Sequence, residues 1–411
     1  MFDRVANRLK PIRLEAIFVA VAALFLFVLP IPHTTTIRLV CLFSAALMAL
    51  VLVHGHEAHA LPLRGPFALW AIVALISLFS PVDLRETLSE IKSEVIYSFL
   101  AFFVFYTQTT NHRRWAVWIT AVISILFLLS VTNVFLWYRG ADLGLPRYLY
   151  NGVAAYTTFL VTALPFVLLF IFHLPVRGIG RWLLRAAPLL LVAPAYLTLN
   201  RTVWIAVAAL ALTMSGLLMF GNGSRWRNLK AAAVLTVLAI ISFHLIHSSL
   251  ERRVGLHGNL DAVVEHTVAV DPRTELWSFA IQEIMRSPWQ GIGFGAASFG
   301  IAYGQWKSKG ILHAHNVFLD AGVQMGVLGI VAMMVLFGAV LYQYWRLYRS
   351  GNRLVQWLGA CGIAMVVAVV IRNMTDEFFR RDLALLFWAL VGASLGYGHR
   401  ILIQPETRRL K

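Results

Sequence analysis

Long apolar runs are the feature of this sequence that most restricts how the chain can fold. Residues 16–29, 115–138 and 316–340 form three of them, and each approaches or exceeds the ~20 residues that a helix needs to cross ~30 Å of hydrocarbon. Of the 411 residues, 59% are hydrophobic and only 13% are charged, whereas a soluble domain has about 25% charged residues. The sequence therefore excludes a soluble globular protein and predicts an all-α polytopic membrane protein.

The apolar runs predict about twelve membrane-spanning helices within one integral membrane domain, residues 1–411. They lie at residues 14–31, 37–53, 66–80, 93–108, 115–138, 151–172, 182–199, 202–220, 230–247, 316–345, 354–372 and 382–399. The first run has no small-residue cleavage site after it, so we predict a span there and no cleavable signal peptide. Cys41 and Cys361 fall inside predicted spans, where we expect small buried side chains without a disulfide.

Lys and Arg are concentrated in alternate loops, as expected for cytoplasmic segments. With the N-terminus in the cytoplasm, the inward segments contain 20 of the 35 Lys and Arg residues but 4 of the 19 Asp and Glu residues. The whole net charge of +16 then faces the cytoplasm. We therefore predict that both termini are cytoplasmic. Because topology accounts for the basic charge, the charge does not indicate a nucleic-acid partner.

One predicted outward loop, residues 248–314 between the ninth and tenth spans, is much longer than the others and has room for a subdomain. Residues 274–286 of this loop have helical periodicity. Leu276, Phe279, Ala280 and Ile284 lie on one face of that helix, and Pro288 is expected to end it. A glycine-rich segment follows at residues 291–300.

Several arginines lie at predicted outward ends of helices, where a charge near hydrocarbon usually has a partner or a function. Arg201 begins one span and Arg273 begins the loop helix. The planar guanidinium binds phosphate in a bidentate manner and stays charged, so these two are candidates to bind a lipid diphosphate. The alternative is that each anchors its helix at the headgroup layer. Secondary site candidates are His313, Asn316, Arg147, Tyr150 and Arg372. Asp376 could orient a partner arginine or histidine, but it is better interpreted as a surface ion pair.

His315 precedes Asn316 at the predicted start of a long span. The positive potential at a helix N-terminus favours a neutral imidazole, which can act as a general base. In a straight helix, Gly322, Gly326 and Gly329 would lie within about 40° of His315. Such a stripe lets another helix approach closely or leaves a groove for a lipid tail. The alternative is a helix-capping histidine above an ordinary packing face.

No metal site is predicted at His313 and His315. Their spacing suits an extended segment and does not suit one helix face, and Asp320 is expected to point elsewhere. No nucleotide-binding or hydrolase motif is present, and no cofactor is predicted. A run of four acidic residues at helical spacing is interpreted as a solvated face; they are Asp83, Glu86, Glu90 and Glu94.

The segment around His315 resembles the O-antigen ligase family. His315-Asn316, nine further residues and then Gly326-Val-Leu-Gly329 are similar to the family's His-Asn/Ser and Gly-x-x-Gly motifs. The long outward loop also resembles that of the family. The similarity covers the architecture of the chain, and its motifs are concentrated in residues 196–330.

Two upstream arginines extend the resemblance in the same order along the chain. Arg201, which follows Asn200, resembles the first family arginine. Arg273, in an Arg-x-x-x-Trp sequence that ends at Trp277, resembles the second. The resemblance implies that these two arginines hold a diphosphate and that His315 is the general base.

The resemblance further implies a GT-C-like membrane glycosyltransferase. Such enzymes transfer O-antigen polysaccharide from undecaprenyl diphosphate to lipid A–core oligosaccharide, with inversion and without metal or nucleotide. The resemblance also implies that the protein lies in the bacterial inner membrane, surrounded by membrane lipids, with its active site at the periplasmic face. The oligomeric state is left open.

Other functions remain open at this point. An O-antigen polymerase of the same superfamily shares the chemistry but uses a second lipid-linked glycan as acceptor; the single dominant loop and the His-Asn…Gly-x-x-Gly pattern favour the ligase. A transporter or flippase would need ionisable groups and broken helices near the bilayer midplane. Most charges lie at span ends, although Pro165, Pro188 and Pro194 interrupt spans.

Overall fold

The computed structural model describes residues 2–53, 61–140, 153–173, 201–220, 273–308, 311–374 and 379–409, together with scattered helical positions between 187 and 244. At residues 2–13, 153–154, 172–173, 201, 296 and 404–409 it describes the backbone alone. Throughout these residues the regular secondary structure is helical, which confirms the predicted all-α class.

The helices are numbered here in chain order. They are α1 (Phe2–Val28), α2 (Thr35–Val53), α3 (Arg64–Ile76), α4 (Leu84–Glu90), α5 (Tyr97–Gln108), α6 (His112–Tyr138), α7 (Val153–His173), α8 (Arg201–Phe220), α9 (Arg273–Arg286), α10 (Ala296–Ala302), α11 (Gly304–Lys307), α12 (Val317–Tyr348), α13 (Arg353–Asn373) and α14 (Arg381–Arg409). A 3-10 helix, Ser77–Phe79, follows α3, and a π-helix, Ile91–Ile96, joins α4 to α5.

Among the described residues, six helices are long and apolar enough to cross a membrane: Thr35–Val53, His112–Tyr138, Thr202–Phe220, Val317–Tyr348, Arg353–Asn373 and Arg381–Ile403. Three shorter apolar helices accompany them: Leu14–Val28, Arg64–Phe79 and Ala155–Ile171. The protein is therefore a multi-pass membrane protein. The predicted spans 182–199 and 230–247, and much of the loop 248–314, lie largely outside the described residues, so the total of twelve stays a prediction.

Helix α13 packs against α7, α8, α12 and α14. Its buried face is rich in small residues, among them Gly359, Ala360, Gly362 and Ala364, which let neighbouring helices approach closely. A four-residue connection, 349–352, separates α12 from α13, so these two neighbours run antiparallel. The start of α8 meets the end of α13, because Nη1 of Arg372 donates to Oγ1 of Thr202 at 2.6 Å.

Helix α9 has the predicted amphipathic face. Leu276, Ala280 and Ile284 are buried, and Phe279 is partly buried and contacts Tyr303 with ring centroids 4.9 Å apart. This face packs against α12 and forms a second apolar cluster apart from the main core. The helical period of residues 274–286 is thereby confirmed.

Helix α12 is interrupted at Gly326, where φ is 69° and ψ is −166°. In a straight helix, Phe318 and Phe337 would be ~28 Å apart along the axis, yet their ring centroids are 6.3 Å apart. A Cβ at Gly329 would overlap the carbonyl oxygen of Ala321. Residues 317–325 therefore fold back beside the remainder of α12.

This reversal corrects the prediction of three glycines in line on one straight helix. Gly326 forms the reversal itself, at a φ that L side chains rarely adopt. Gly322 makes room for α9, because a Cβ there would lie 2.6 Å from Cδ1 of Ile284. Gly329 makes room for Ala321 of the same helix. Each of these positions thus faces a different part of the protein.

Candidate functional site

His315 lies in a tight turn immediately before α12. Its φ of 52° is in the left-handed region, which is uncommon for a residue with a side chain. The N–H of His315 donates to Nδ1 of His313 at 3.3 Å, and the two ring centroids are 4.2 Å apart. Asn316 caps α12, because its Oδ1 accepts from the N–H groups of Phe318 and Leu319 at 3.0 and 3.3 Å. Hydrogen bonds within the turn therefore determine where the imidazole lies.

Asp320 points toward the histidine turn, contrary to the expectation that it would point elsewhere. Its side chain is 1% exposed, and its Oδ1 accepts from the N–H of Ala314 at 2.9 Å. The physical reason is the left-handed backbone conformation of His315. It brings Ala314 back alongside the first turns of α12. In the described residues, no group of three or more His, Cys, Asp or Glu is arranged to hold a metal ion.

Helix α9 supports the turn from a second side. Nε1 of Trp277 donates to the carbonyl oxygen of Ala314 at 3.0 Å. Arg273 lies four residues before Trp277 and is partly exposed, so both residues are on one face of α9. The structure therefore brings the helix that carries Arg273 against the residue preceding His315.

The other predicted arginine lies at the beginning of α8. Arg201 is the first residue of that helix, and its side chain lies outside the described residues. Its neighbour Thr202 is the residue that accepts the hydrogen bond from Arg372, whose side chain is 1% exposed. Arg372 is thus next to the start of α8. Arg147, Tyr150 and Asp376 lie outside the described residues.

The glycine-rich segment contacts the histidine helix directly. The N–H of Ile292 donates to the carbonyl of Val323 at 3.0 Å, and the N–H of Gly293 to the carbonyl of Gln324 at 3.1 Å. The N–H of Gly295 donates to Oε1 of Gln324 at 2.9 Å. The first two bonds satisfy backbone carbonyls that the interruption at Gly326 leaves without helical partners.

Glu90 and Glu94 are 5% and 6% exposed, so the acidic run is not the solvated face that was predicted. Both oxygens of Glu94 accept from the N–H of Arg381, at 2.9 and 3.1 Å. Oε1 of Glu90 is 3.6 Å from Nη2 of the same arginine. Of the four acidic residues, Asp83 is exposed and Glu86 is half-buried. The π-helix turns the two buried carboxylates inward, toward the start of α14.

These carboxylates line a cavity of about 30 Å³ beside the folded-back segment of α12. Its walls are Trp70, Glu90, Glu94, Phe294, Gly295, Val317, Ala321, Gln324, Met325, Met333, Phe379 and Arg380. Neither the carboxylates nor Gln324 was predicted as part of a site. The only sequence signal for Glu90 and Glu94 is a four-residue spacing just before an apolar span, and that signal does not distinguish buried from solvated carboxylates.

Comparison with known proteins identifies this region. Residues 186–334 match the family model for O-antigen ligase, and the match includes Arg201, Arg273, His315 and both glycines of the Gly-x-x-Gly motif. No curated protein matches the chain. Residues 186–334 are therefore similar to the O-antigen ligase family, in agreement with the resemblance that the motifs indicate.

Proposed function

We propose that the protein is an O-antigen ligase. It transfers O-antigen polysaccharide from undecaprenyl diphosphate to lipid A–core oligosaccharide at the periplasmic face of the inner membrane, without metal or nucleotide. The observation that carries this proposal is the left-handed His315 turn, which lies inside the segment that matches the O-antigen ligase model, residues 186–334. Asn316 and Asp320 accept hydrogen bonds from backbone N–H groups of this turn and of the helix start, and Trp277 donates one to the turn, as expected of a group that must be positioned for chemistry.

In the proposed reaction, His315 accepts the proton of an acceptor hydroxyl. The oxygen attacks the anomeric carbon of the donor, the bond from that carbon to the diphosphate oxygen breaks, and the configuration inverts. The diphosphate leaves with the electron pair of the broken bond. Arg201 and Arg273 bind it and stabilise its growing charge. The position of Arg273 on the same face of α9 as Trp277 supports its role.

An O-antigen polymerase is the second candidate, because the matched domain belongs to a superfamily that contains both activities. The polymerase would use the same histidine and arginines, but its acceptor would be another lipid-linked glycan. The two activities therefore differ in the acceptor, and an experiment that offers both acceptors separates them.

The test is reconstitution of purified protein with undecaprenyl-diphosphate glycan and lipid A–core, in the presence of a chelator and without nucleotide. Wild type is compared with His315→Ala by gel shift of the lipid product. His112→Ala is the matched control, since His112 is an exposed histidine at the start of α6. We expect transfer to lipid A–core by wild type and by the control, and only a small residual rate with His315→Ala, because the rest of the site still binds donor and acceptor.

Extension of the lipid-linked donor without transfer to lipid A–core would assign the protein as a polymerase. If folded wild type catalysed neither reaction, both glycosyltransferase assignments would be wrong and transport of the lipid-linked glycan would become the function to test.

A further inference from the structure

The His315 turn depends on residues that lie outside the histidine motif. A left-handed conformation at a residue with a side chain is unfavourable and persists only where the surroundings enforce it. After His315, the cap at Asn316 fixes the backbone. Before it, Ala314 is fixed from two sides, through its carbonyl by Trp277 and through its N–H by Asp320.

Asp320 is a costly residue to place at this position. A buried carboxylate is stabilised only when its oxygens have hydrogen-bond donors. Its two oxygens have different partners, since Oδ1 accepts from Ala314 N–H and Oδ2 accepts from Nε2 of Gln324. The carboxylate therefore joins the histidine turn to a side chain one helical turn further along.

Gln324 continues this connection to the glycine-rich segment. It is 4% exposed, and its Oε1 accepts from the N–H of Gly295 at 2.9 Å. The orientation of the amide follows from its neighbours, because a carboxylate only accepts and a backbone N–H only donates. One unbroken chain of hydrogen bonds thus runs from Gly295 through Gln324 and Asp320 to Ala314.

The far end of this chain is held in place. Gly295 has a φ of 127°, and a Cβ there would lie 2.6 Å from Cγ of Glu90. The N–H of Phe294 donates to Oγ of Ser77 at 3.0 Å. The segment is therefore packed against the helices on the opposite side of the cavity, and it gives the histidine turn a fixed reference.

We propose that Asp320 and Gln324, called here the Asp320–Gln324 bridge, are positioning residues for His315. The bridge fixes the turn relative to the glycine-rich segment, and so sets the place of the imidazole at the acceptor hydroxyl. The catalytic consequence rests on the proposed function. The geometric consequence is independent of that function: breaking the bridge should alter the environment of His315.

The sharpest test exchanges the carboxylate and the amide. Asp320→Asn places an amide N–H₂ against the N–H₂ of Gln324, and Gln324→Glu places two carboxylates together. In the double variant D320N/Q324E, the new amide at position 320 accepts from Ala314 and donates to the new carboxylate at position 324, which also accepts from Gly295. All three hydrogen bonds are then possible again, with the charge one helical turn away. Gln343→Glu, which buries a new carboxylate elsewhere on α12, controls for the cost of the charge.

Two readouts are measured on detergent-purified full-length protein. The first is the rate of His315 modification by diethyl pyrocarbonate, followed by mass spectrometry with His112 as the internal reference. The second is the rate of transfer to lipid A–core. A displacement of about 1 Å can reduce a rate ~100-fold. We expect the transfer rate to fall by that order in both single variants, to recover to within ~10-fold of wild type in the double variant, and to stay unchanged in Gln343→Glu. The rate of His315 modification should change in both single variants and return toward the wild-type rate in the double variant.

The variants are also made in a His315→Ala background, where a bridge that acts through His315 should cause no further loss of the residual transfer. Modification rates equal to wild type in the single variants, or a double variant as impaired as either single one, would overturn the proposal. Additive loss in the His315→Ala background would assign the bridge a structural role only. If wild type shows no transfer, the proposed function fails, while the modification rates still decide whether the bridge positions His315.

Discussion

At the scale of single residues, the energetic cost of the site lies in the backbone of His315. Its conformation is unfavourable by itself, and each neighbour offsets part of that cost by fixing one side of the turn. The sequence predicted the histidine and the helix start at Asn316, because both belong to one short motif, but it did not predict that Asn316 is the cap. It did not predict Asp320 as a partner, because the hydrogen bond to Ala314 exists only when the backbone reverses at His315.

Replacing Asn316 separates the cap from the chemistry. We expect Asn316→Ala to lower the free energy of unfolding by about 1 kcal/mol, because two N–H groups at the start of α12 lose their acceptor. Asn316→Asp keeps the acceptor and should preserve stability. Thermal unfolding in detergent measures the stability of each variant, and the rate of transfer to lipid A–core measures its chemistry.

The matched control is Asn352→Ala at the start of α13. Oδ1 of Asn352 accepts from Leu354 and Val355 at 3.0 and 3.2 Å, so the same kind of cap is removed at a distance from His315. It should cost similar stability and leave the transfer rate per folded molecule unchanged. Equal loss of transfer in both variants would mean that the cap at Asn316 serves stability alone.

Tyr303 gives a pH-dependent prediction. Burial, followed by the hydrogen bond to Glu283 at 3.0 Å, raises the pKa of its hydroxyl. A raised pKa favours the neutral phenol in the folded state. Its contribution is complete below the ordinary tyrosine pKa of ~10 and is lost as pH rises toward the higher folded-state pKa. The stability advantage of wild type over Tyr303→Phe should therefore shrink above pH ~10, as measured by thermal unfolding; a constant advantage would contradict this assignment.

At the scale of the elements, most helices follow from hydropathy, and the amphipathic face of α9 follows from its period. The reversal within α12 does not follow from hydropathy, because residues 316–345 are predominantly apolar and predict one continuous span. What interrupts the helix is the contact of Gly326 with Pro288, a residue of the preceding loop. The burial of Glu90 and Glu94 was also missed, since it depends on where α14 begins.

A methyl group at the reversal should disrupt it. Gly326→Ala places a Cβ at a positive φ and in overlap with the carbonyl oxygen of Pro288. The conformation alone costs roughly 1–2 kcal/mol, and the overlap adds to it. We expect a lower unfolding temperature and at least ~10-fold slower transfer, since 1.4 kcal/mol of lost positioning corresponds to a factor of ten.

Gly338→Ala provides the control on the same helix. A Cβ at Gly338 meets no atom within 4 Å, and alanine favours a helix over glycine by up to ~1 kcal/mol. This variant should be as stable as wild type or more so, with normal transfer. A Gly326→Ala protein that unfolded and reacted like Gly338→Ala would show that the reversal is not required.

At the scale of the whole molecule, composition was sufficient to predict a multi-pass α-helical membrane protein, and short motifs were sufficient to predict the similarity of residues 186–334 to the O-antigen ligase family. Contacts between distant segments were not predictable, because nothing local specifies them. The start of α14 is one example, where Arg381 adopts a φ of 49° and binds carboxylates on an element almost three hundred residues earlier. These contacts fix how the last helix joins the rest of the bundle.

Removing Glu94 tests that connection. Glu94→Ala removes the carboxylate that accepts from the N–H of Arg381 in a partly buried hydrogen bond, which should cost about 1–3 kcal/mol. Glu86→Gln, an isosteric change at a half-buried position of the same acidic run, should change stability by no more than about 0.5 kcal/mol. Thermal unfolding of both variants provides the measurement. Equal stability of the two would mean that the carboxylate of Glu94 does not hold α14.

The reversal at Gly326 also makes segment length a quantity that the chain must keep constant. The nine residues 317–325 set the distance from the reversal to the histidine turn. One inserted residue would rotate His315 by about 100° and shift it by about 1.5 Å, whatever the inserted side chain. Substitutions within the segment can preserve the site, whereas a single insertion or deletion cannot. The number of residues between the His-Asn and Gly-x-x-Gly motifs is therefore fixed by the geometry of the site, even where the residues themselves can change.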